Sequence, residues 1–127
     1  MTIIDETGRS AEEAAADAAE AIRSLNHVTF MPSSVEFPSD VYRILGELYT
    51  MTQRLPQALQ QLASRLDEHR ATGRLTLDSA HRHTDPNLAV GSAIAELSTA
   101  AEALETVTQS LTAAQNDIAN VAMTDDV

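Results

Sequence analysis

The stretch that decides the fold runs from Asp85 to Ala122 and reads DPNLAVGSAIAELSTAAEALETVTQSLTAAQNDIANVA. It contains no proline after Pro86 and no glycine after Gly91, so a helix of about nine turns can form. Apolar or small residues recur at alternating steps of four and three, which is the spacing of a coiled-coil seam. The members of this seam are Val90, Ile94, Leu97, Ala101, Leu104, Thr108, Leu111, Gln115, Ile118 and Ala122. We therefore predict a helix over 86–122 that needs a partner helix to cover its apolar face.

Residues 40–71 repeat this spacing and predict the partner helix. Their seam consists of Val41, Leu45, Leu48, Thr52, Leu55, Leu59, Leu62, Leu66 and His69. Apolar residues also flank the seam, so the apolar stripe is wider than the seam of a two-stranded coiled coil. We therefore expect this helix to contact more than one neighbouring helix. Pro56 lacks an N–H group and crowds the preceding turn, so we predict a kink near it.

Together the two seams predict an all-α fold built on a long antiparallel, coiled-coil-like helical hairpin. Closing the loop between them pairs Thr52 with Leu104 and Leu45 with Leu111.

Ser10 begins a shorter Ala-rich helix over 10–26, whose alanines favour helix but bury little area. We predict a single domain over 10–122 between flexible tails at 1–9 and 123–127. Because the apolar core of one chain is small, we predict a three- or four-helix bundle completed by dimerisation. A monomeric three-helix bundle is the alternative.

Composition narrows the classes of partner. The chain has a net charge of −11, no lysine and arginines scattered along its length, which disfavours nucleic acid as a partner. The sequence has no cysteine, which excludes disulfides and thiolate metal sites. No apolar run approaches the length of a membrane span, and no signal peptide is recognisable. We predict a soluble, cytoplasmic protein without a membrane partner.

The candidate interface residues lie in and after the connector 27–39. Both phenylalanines of the chain, Phe30 and Phe37, are here, and exposing both would be costly, so we expect this strap to lie across apolar helix surface. Tyr42, Tyr49 and Met51 follow on the next helix and could form a docking patch. For all five residues two interpretations stay open, packing within the protein and recognition of a partner.

Metal-binding and catalytic residues are sparse. His81, His83 and Asp78 form the one cluster that could hold Zn²⁺ or Ni²⁺, and the alternative is a solvated loop whose Asp85 caps the next helix. The sequence contains no Gly-rich phosphate loop, no G-x-S-x-G elbow and no HExxH helix. We therefore predict no catalytic residue and no cofactor.

These observations favour a non-enzymatic helical interaction or scaffold protein that associates with itself as a homodimer, and a second protein as partner stays open. One alternative is a small-molecule- or metal-binding regulatory bundle that uses the His loop. In size and hairpin outline the chain also resembles the WXG100 proteins and related type VII secretion substrates, which implies a secreted helical hairpin. The chain has no Trp for the Trp-x-Gly turn of that family and no Tyr in its tail, so no functional residue is carried over.

Overall fold

The structure is a computed structural model that describes residues 4–78 and 85–124, and it is helical without a strand over these residues. Helix α1 spans Ala11–Thr29, a 3₁₀ turn spans Pro32–Ser34, α2 spans Pro38–Ala71 and α3 spans Pro86–Asp117. The prediction of an all-α chain is confirmed. No helix within the described ranges combines the length and the hydropathy that crossing a lipid bilayer requires.

Local capping explains where the helices begin. The Ser10 hydroxyl accepts a hydrogen bond from the Glu13 amide at 3.2 Å, and the Asp85 carboxylate accepts one from the Asn87 amide at 2.8 Å. At the start of α2, the Asp40 carboxylate reaches back to accept from the Phe37 amide at 3.1 Å. Each bond satisfies a backbone N–H group that a helix start leaves without a partner. Gly73, with φ of 69°, ends the turn after α2 in the left-handed conformation that glycine allows.

Helices α2 and α3 pack against each other as the predicted antiparallel hairpin, and no other pair of described helices comes as close. They contain 34 and 32 residues, so each is about 50 Å long. Helix α2 continues through Pro56 without a break, and the predicted kink stays a prediction.

Burial along α3 follows the predicted seam. Every seam position from Val90 to Ile118 is at least partly buried, and Ala101 is only 5% exposed. The helix ends at Asp117 rather than at 122. Asn116, Asp117 and Asn120 are poor helix formers, and residues 118–120 form a turn instead.

Helix α2 presents to α3 a face that overlaps the predicted seam but is rotated from it. Thr52 is buried, and Leu59 and Leu66 are partly buried, as predicted. Leu55 and Leu62 were assigned to the covered seam, yet they are 39% and 53% exposed, whereas Tyr49, Pro56 and Ala63 are partly buried. The cause is the width of the apolar stripe on α2, which one helix cannot cover. Helix α3 lies over one edge of the stripe and leaves the other edge open.

The register of the hairpin also differs, by about one helical turn. The hydroxyls of Thr52 and Thr108 are hydrogen-bonded across the interface at 2.9 Å, so Thr108 rather than Leu104 faces Thr52. Gln115 donates from Nε2 to the Tyr42 carbonyl at 3.1 Å. The Gln115 side chain fits there because Gly46 has no Cβ. A Cβ at this position would lie only 3.0 Å from the Gln115 nitrogen. Both polar contacts belong to the observed register.

Helix α1 does not pack closely on the hairpin. It runs to Thr29 rather than to 26, and within the described residues none of its Cα atoms lies within 8 Å of one in α2 or α3. All its residues are exposed except Ile22 and Leu25, which are half-buried. The three- or four-helix bundle therefore stays a prediction.

Residues 5–9, within the predicted flexible tail, form a hydrogen-bonded turn ahead of α1. The Asp5 carboxylate accepts from the Thr7 hydroxyl at 2.6 Å and from the Arg9 amide at 2.8 Å. These bonds, the Thr7 hydroxyl first, hold the pKa of Asp5 below its usual value. Arg9 in turn pairs with Asp17 at 2.9 Å, which connects the turn to α1.

The aromatic strap is not covered by helix surface, so that expectation is wrong. Phe30 is 84% exposed and Phe37 is 52% exposed. The reason is local, because the Ser34 hydroxyl donates to the Val28 carbonyl at 2.7 Å. This bond holds the 3₁₀ turn against the end of α1.

The buried hydroxyl pair gives a test of the register. Thr52→Val and Thr108→Val are each expected to lower the free energy of unfolding by about 1 kcal/mol, since each removes one partner of a part-buried hydrogen bond. The double variant should lose less free energy of unfolding than the two single variants together. Each single variant leaves one hydroxyl without its partner across the interface, whereas the double variant leaves none. Urea denaturation followed by circular dichroism measures the cycle, and strict additivity would contradict the pairing.

Candidate protein interaction surface

The edge of the α2 stripe that α3 leaves uncovered is itself a regular seam. We call it the open seam, and its residues are Ile44, Leu48, Met51, Leu55, Ala58 and Leu62. They recur at steps of four and three, so they form one apolar row along the helix. Ile44 and Leu48 are half-buried, while Met51, Leu55 and Leu62 are 37%, 39% and 53% exposed. A row of large aliphatic side chains this exposed is typical of a surface that binds another protein.

Two charged residues border the open seam. Glu47 and Arg54 line the same surface indentation as Met51, Leu55 and Ala58. Neither forms an ion pair within the described ranges, whereas Arg43, Arg65 and Arg70 of α2 each pair with an acid three residues away. The seam therefore has one negative and one positive group on its edge, seven residues apart, both available to a partner.

Helix α1 lies over part of the open seam without filling it. Its residues Ala11, Ala14, Ala15 and Ala18 face Leu55, Ala58 and Leu62 across an open groove of about 710 Å³. The N-terminal half of α1 thus faces the middle of α2, which means that α1 runs back along α2. Most of the residues that line this open groove are apolar, and Gln61 and Arg65 also line it.

The five predicted interface residues lie in different parts of the described structure. Met51 belongs to the open seam, and Tyr42 is 38% exposed near the start of α2. Tyr49 lies on the face toward α3 and is half-buried. Phe30 and Phe37 lie before α2, in the exposed strap. The sequence missed Leu55 and Leu62 as surface residues because it placed both against α3, although the width of the stripe was a sign that some leucines would stay uncovered.

The metal hypothesis is not tested by the structure. His81 and His83 lie outside the described residues, and Asp78 is exposed. Among residues 4–78 and 85–124, no group of three or more His, Cys, Asp or Glu side chains is arranged to hold an ion.

Helices α2 and α3 border one further indentation, of about 300 Å³, with Leu59, Ile94 and Leu97 in its wall and Glu102 and Glu105 among its lining residues. This volume is at the lower end of small-molecule sites. No buried side-chain nitrogen or oxygen in the described part of the chain lacks a hydrogen-bond partner. The open seam, with its row of large exposed aliphatic side chains, is the stronger candidate site.

Comparisons of the chain with protein-family models, with curated proteins and with solved structures give no significant match.

Two leucines four residues apart on α2 test the division between covered and open faces. Leu66→Ala is expected to lower the free energy of unfolding by about 2–3 kcal/mol, because Leu66 packs toward α3. Leu62→Ala should cost less than about 1 kcal/mol, because its side chain is already half exposed. Urea denaturation at low protein concentration measures both, and equal losses would show that the open seam is covered within a single chain.

Proposed function

We propose that this chain is a non-enzymatic helical association protein that binds a second copy of itself through the open seam of α2. The observation that carries the proposal is the row of half-exposed aliphatic side chains on a helix whose other seam is already covered by α3. Coiled-coil spacing predisposes such a row to receive another helix. Pairing two hairpins in this way would build a four-helix core. One chain alone has too few apolar residues to form a core of that size.

The accessible surface of the chain supports the proposal. It amounts to 10034 Å², whereas a compact monomer of 13.7 kDa is expected to expose about 6,600 Å². Thr52 and Ala101, each 5% exposed, are the only buried residues in the described part of the chain. A second copy could cover the roughly 800 Å² per partner of a standard interface and the chain would still be less compact than a typical monomer.

Analytical ultracentrifugation over a wide concentration range tests the proposal. We expect a reversible dimer with twice the 13.7 kDa mass of the chain. Leu55→Glu should weaken the dimer by a factor of at least about ten, because it places a charge in the apolar seam that the dimer buries. Gln57→Glu is the matched control, since it adds the same charge at an exposed position away from the seam. A chain that stays monomeric up to millimolar concentration, or a dimer that Leu55→Glu leaves unchanged, would contradict the proposal.

A further inference from the structure

We infer that the two copies pair through antiparallel α2 helices about a two-fold axis next to residues 49 and 50, with Glu47 of each copy facing Arg54 of the other. This inference rests on the proposed self-association and goes further by specifying which helices meet, in which direction and in which register. The occupant of the open seam is then the same seam of a second copy.

The apolar layers favour this register. In an antiparallel pair, the residue numbers that meet in the apolar layers have one constant sum, and those that meet on the edge of the seam have another. With the axis next to residues 49 and 50, Leu48 meets Met51 of the second copy, Ile44 meets Leu55, and Val41 meets Ala58. Each layer occurs twice because of the two-fold symmetry. Six consecutive layers are therefore apolar, and each has a large side chain on at least one side.

The charges on the seam edge select the same register. Antiparallel pairing brings the edge position Glu47 next to Arg54 of the second copy, twice per dimer, and these two side chains have no other ion-pair partner within the described residues. Sliding the helices by one heptad would bring Arg54 against Arg54 in one direction and Glu47 against Glu47 in the other. Like charges at such positions disfavour those registers.

Larger slides are also unfavourable. A slide of two heptads sets Glu47 against Glu68. A slide of three heptads pairs Arg54 with Glu68 but moves Arg65 and His69 into the apolar layers. Burying these polar groups among leucines costs free energy that the additional contacts do not offset. One register thus combines apolar layers with opposite charges on the edge.

Helix α1 must leave the open seam for the second copy to dock, and the structure shows little that would hold it there. None of its Cα atoms lies within 8 Å of one in α2 among the described residues. The connector 30–37 can extend about 27 Å at 3.3–3.6 Å per residue, which is enough for α1 to swing aside. The second copy brings Ile44, Leu48, Met51 and Leu55 against the seam, where α1 offers mainly alanines, so it removes more apolar surface from water.

Spin-label distances between the two copies test the direction and the register. Because the sequence contains no cysteine, Gln57→Cys and Ser64→Cys each introduce one unique label on the outer side of α2. At 1.5 Å per residue, the proposed axis predicts label separations of about 25 Å at position 57 and about 45 Å at position 64. Parallel helices would give similar distances at both positions, and each heptad of slide would change both distances by about 10 Å. Any of these results would overturn the inferred register.

Charge reversal tests the edge contacts. Glu47→Arg and Arg54→Glu are each expected to weaken the dimer about tenfold at low salt, because each one replaces two attractive pairs by two repulsive ones. The double variant should restore the association. Gln60→Arg and Gln57→Glu are the matched controls, since they add the same charges away from the seam and should leave the dimer unchanged.

The two levels of the proposal fail in distinguishable ways. A dimer whose label distances fit another arrangement, or whose charge-reversed double variant is not restored, overturns the register and leaves self-association standing. A chain that is monomeric in every variant overturns both.

Discussion

The contact between α2 and α3 is the one tertiary interaction on which the rest of this structure depends. It contains the only two fully buried positions of the described chain, Thr52 and Ala101, and one of its few polar contacts is the hydrogen bond between Thr52 and Thr108. Small side chains at these points let the two helices approach closely, and the leucines on either side are only partly buried. The contact therefore fixes a face for each helix without enclosing a full core. What α3 does not cover on α2 becomes surface, and the open seam is the direct consequence.

The sequence predicted α3 better than α2, for a physical reason. Helix α3 has one narrow apolar stripe, so there is only one way to turn it toward a partner, and the seam from Val90 to Ile118 is the one that is buried. Helix α2 has two adjacent apolar rows, one that contains Thr52, Leu59 and Leu66 and the open seam. The predicted seam combines residues of both rows, because periodicity alone cannot say which row α3 covers. The same ambiguity explains why Met51 was recognised as a candidate interface residue while Leu55 and Leu62 were placed in the interior.

The register and the position of α1 were harder to predict because they depend on weak or distant interactions. Leucine layers spaced by heptads tolerate a slide, and the observed register includes the polar contacts of Thr108 and Gln115, which the apolar pattern does not encode. Local signals were reliable where one residue decides the outcome, as at the caps of Ser10 and Asp85. For α1, alanine content predicted a helix correctly but gave no indication of where the helix would dock, because alanine contributes so little buried area.

The distribution of charge explains how a chain with a net charge of −11 can still be expected to self-associate. Helix α3 has four acidic residues and no basic one, and α1 has four acids and one arginine. Helix α2, in contrast, balances four acids with four arginines. An association through α2 brings two neutral helices together, and solvent and salt screen the repulsion between the acidic α3 helices of the pair. An association through α3 would instead bring like charges together. The electrostatics of the chain and its uncovered apolar row therefore favour the same helix as the surface for a second copy.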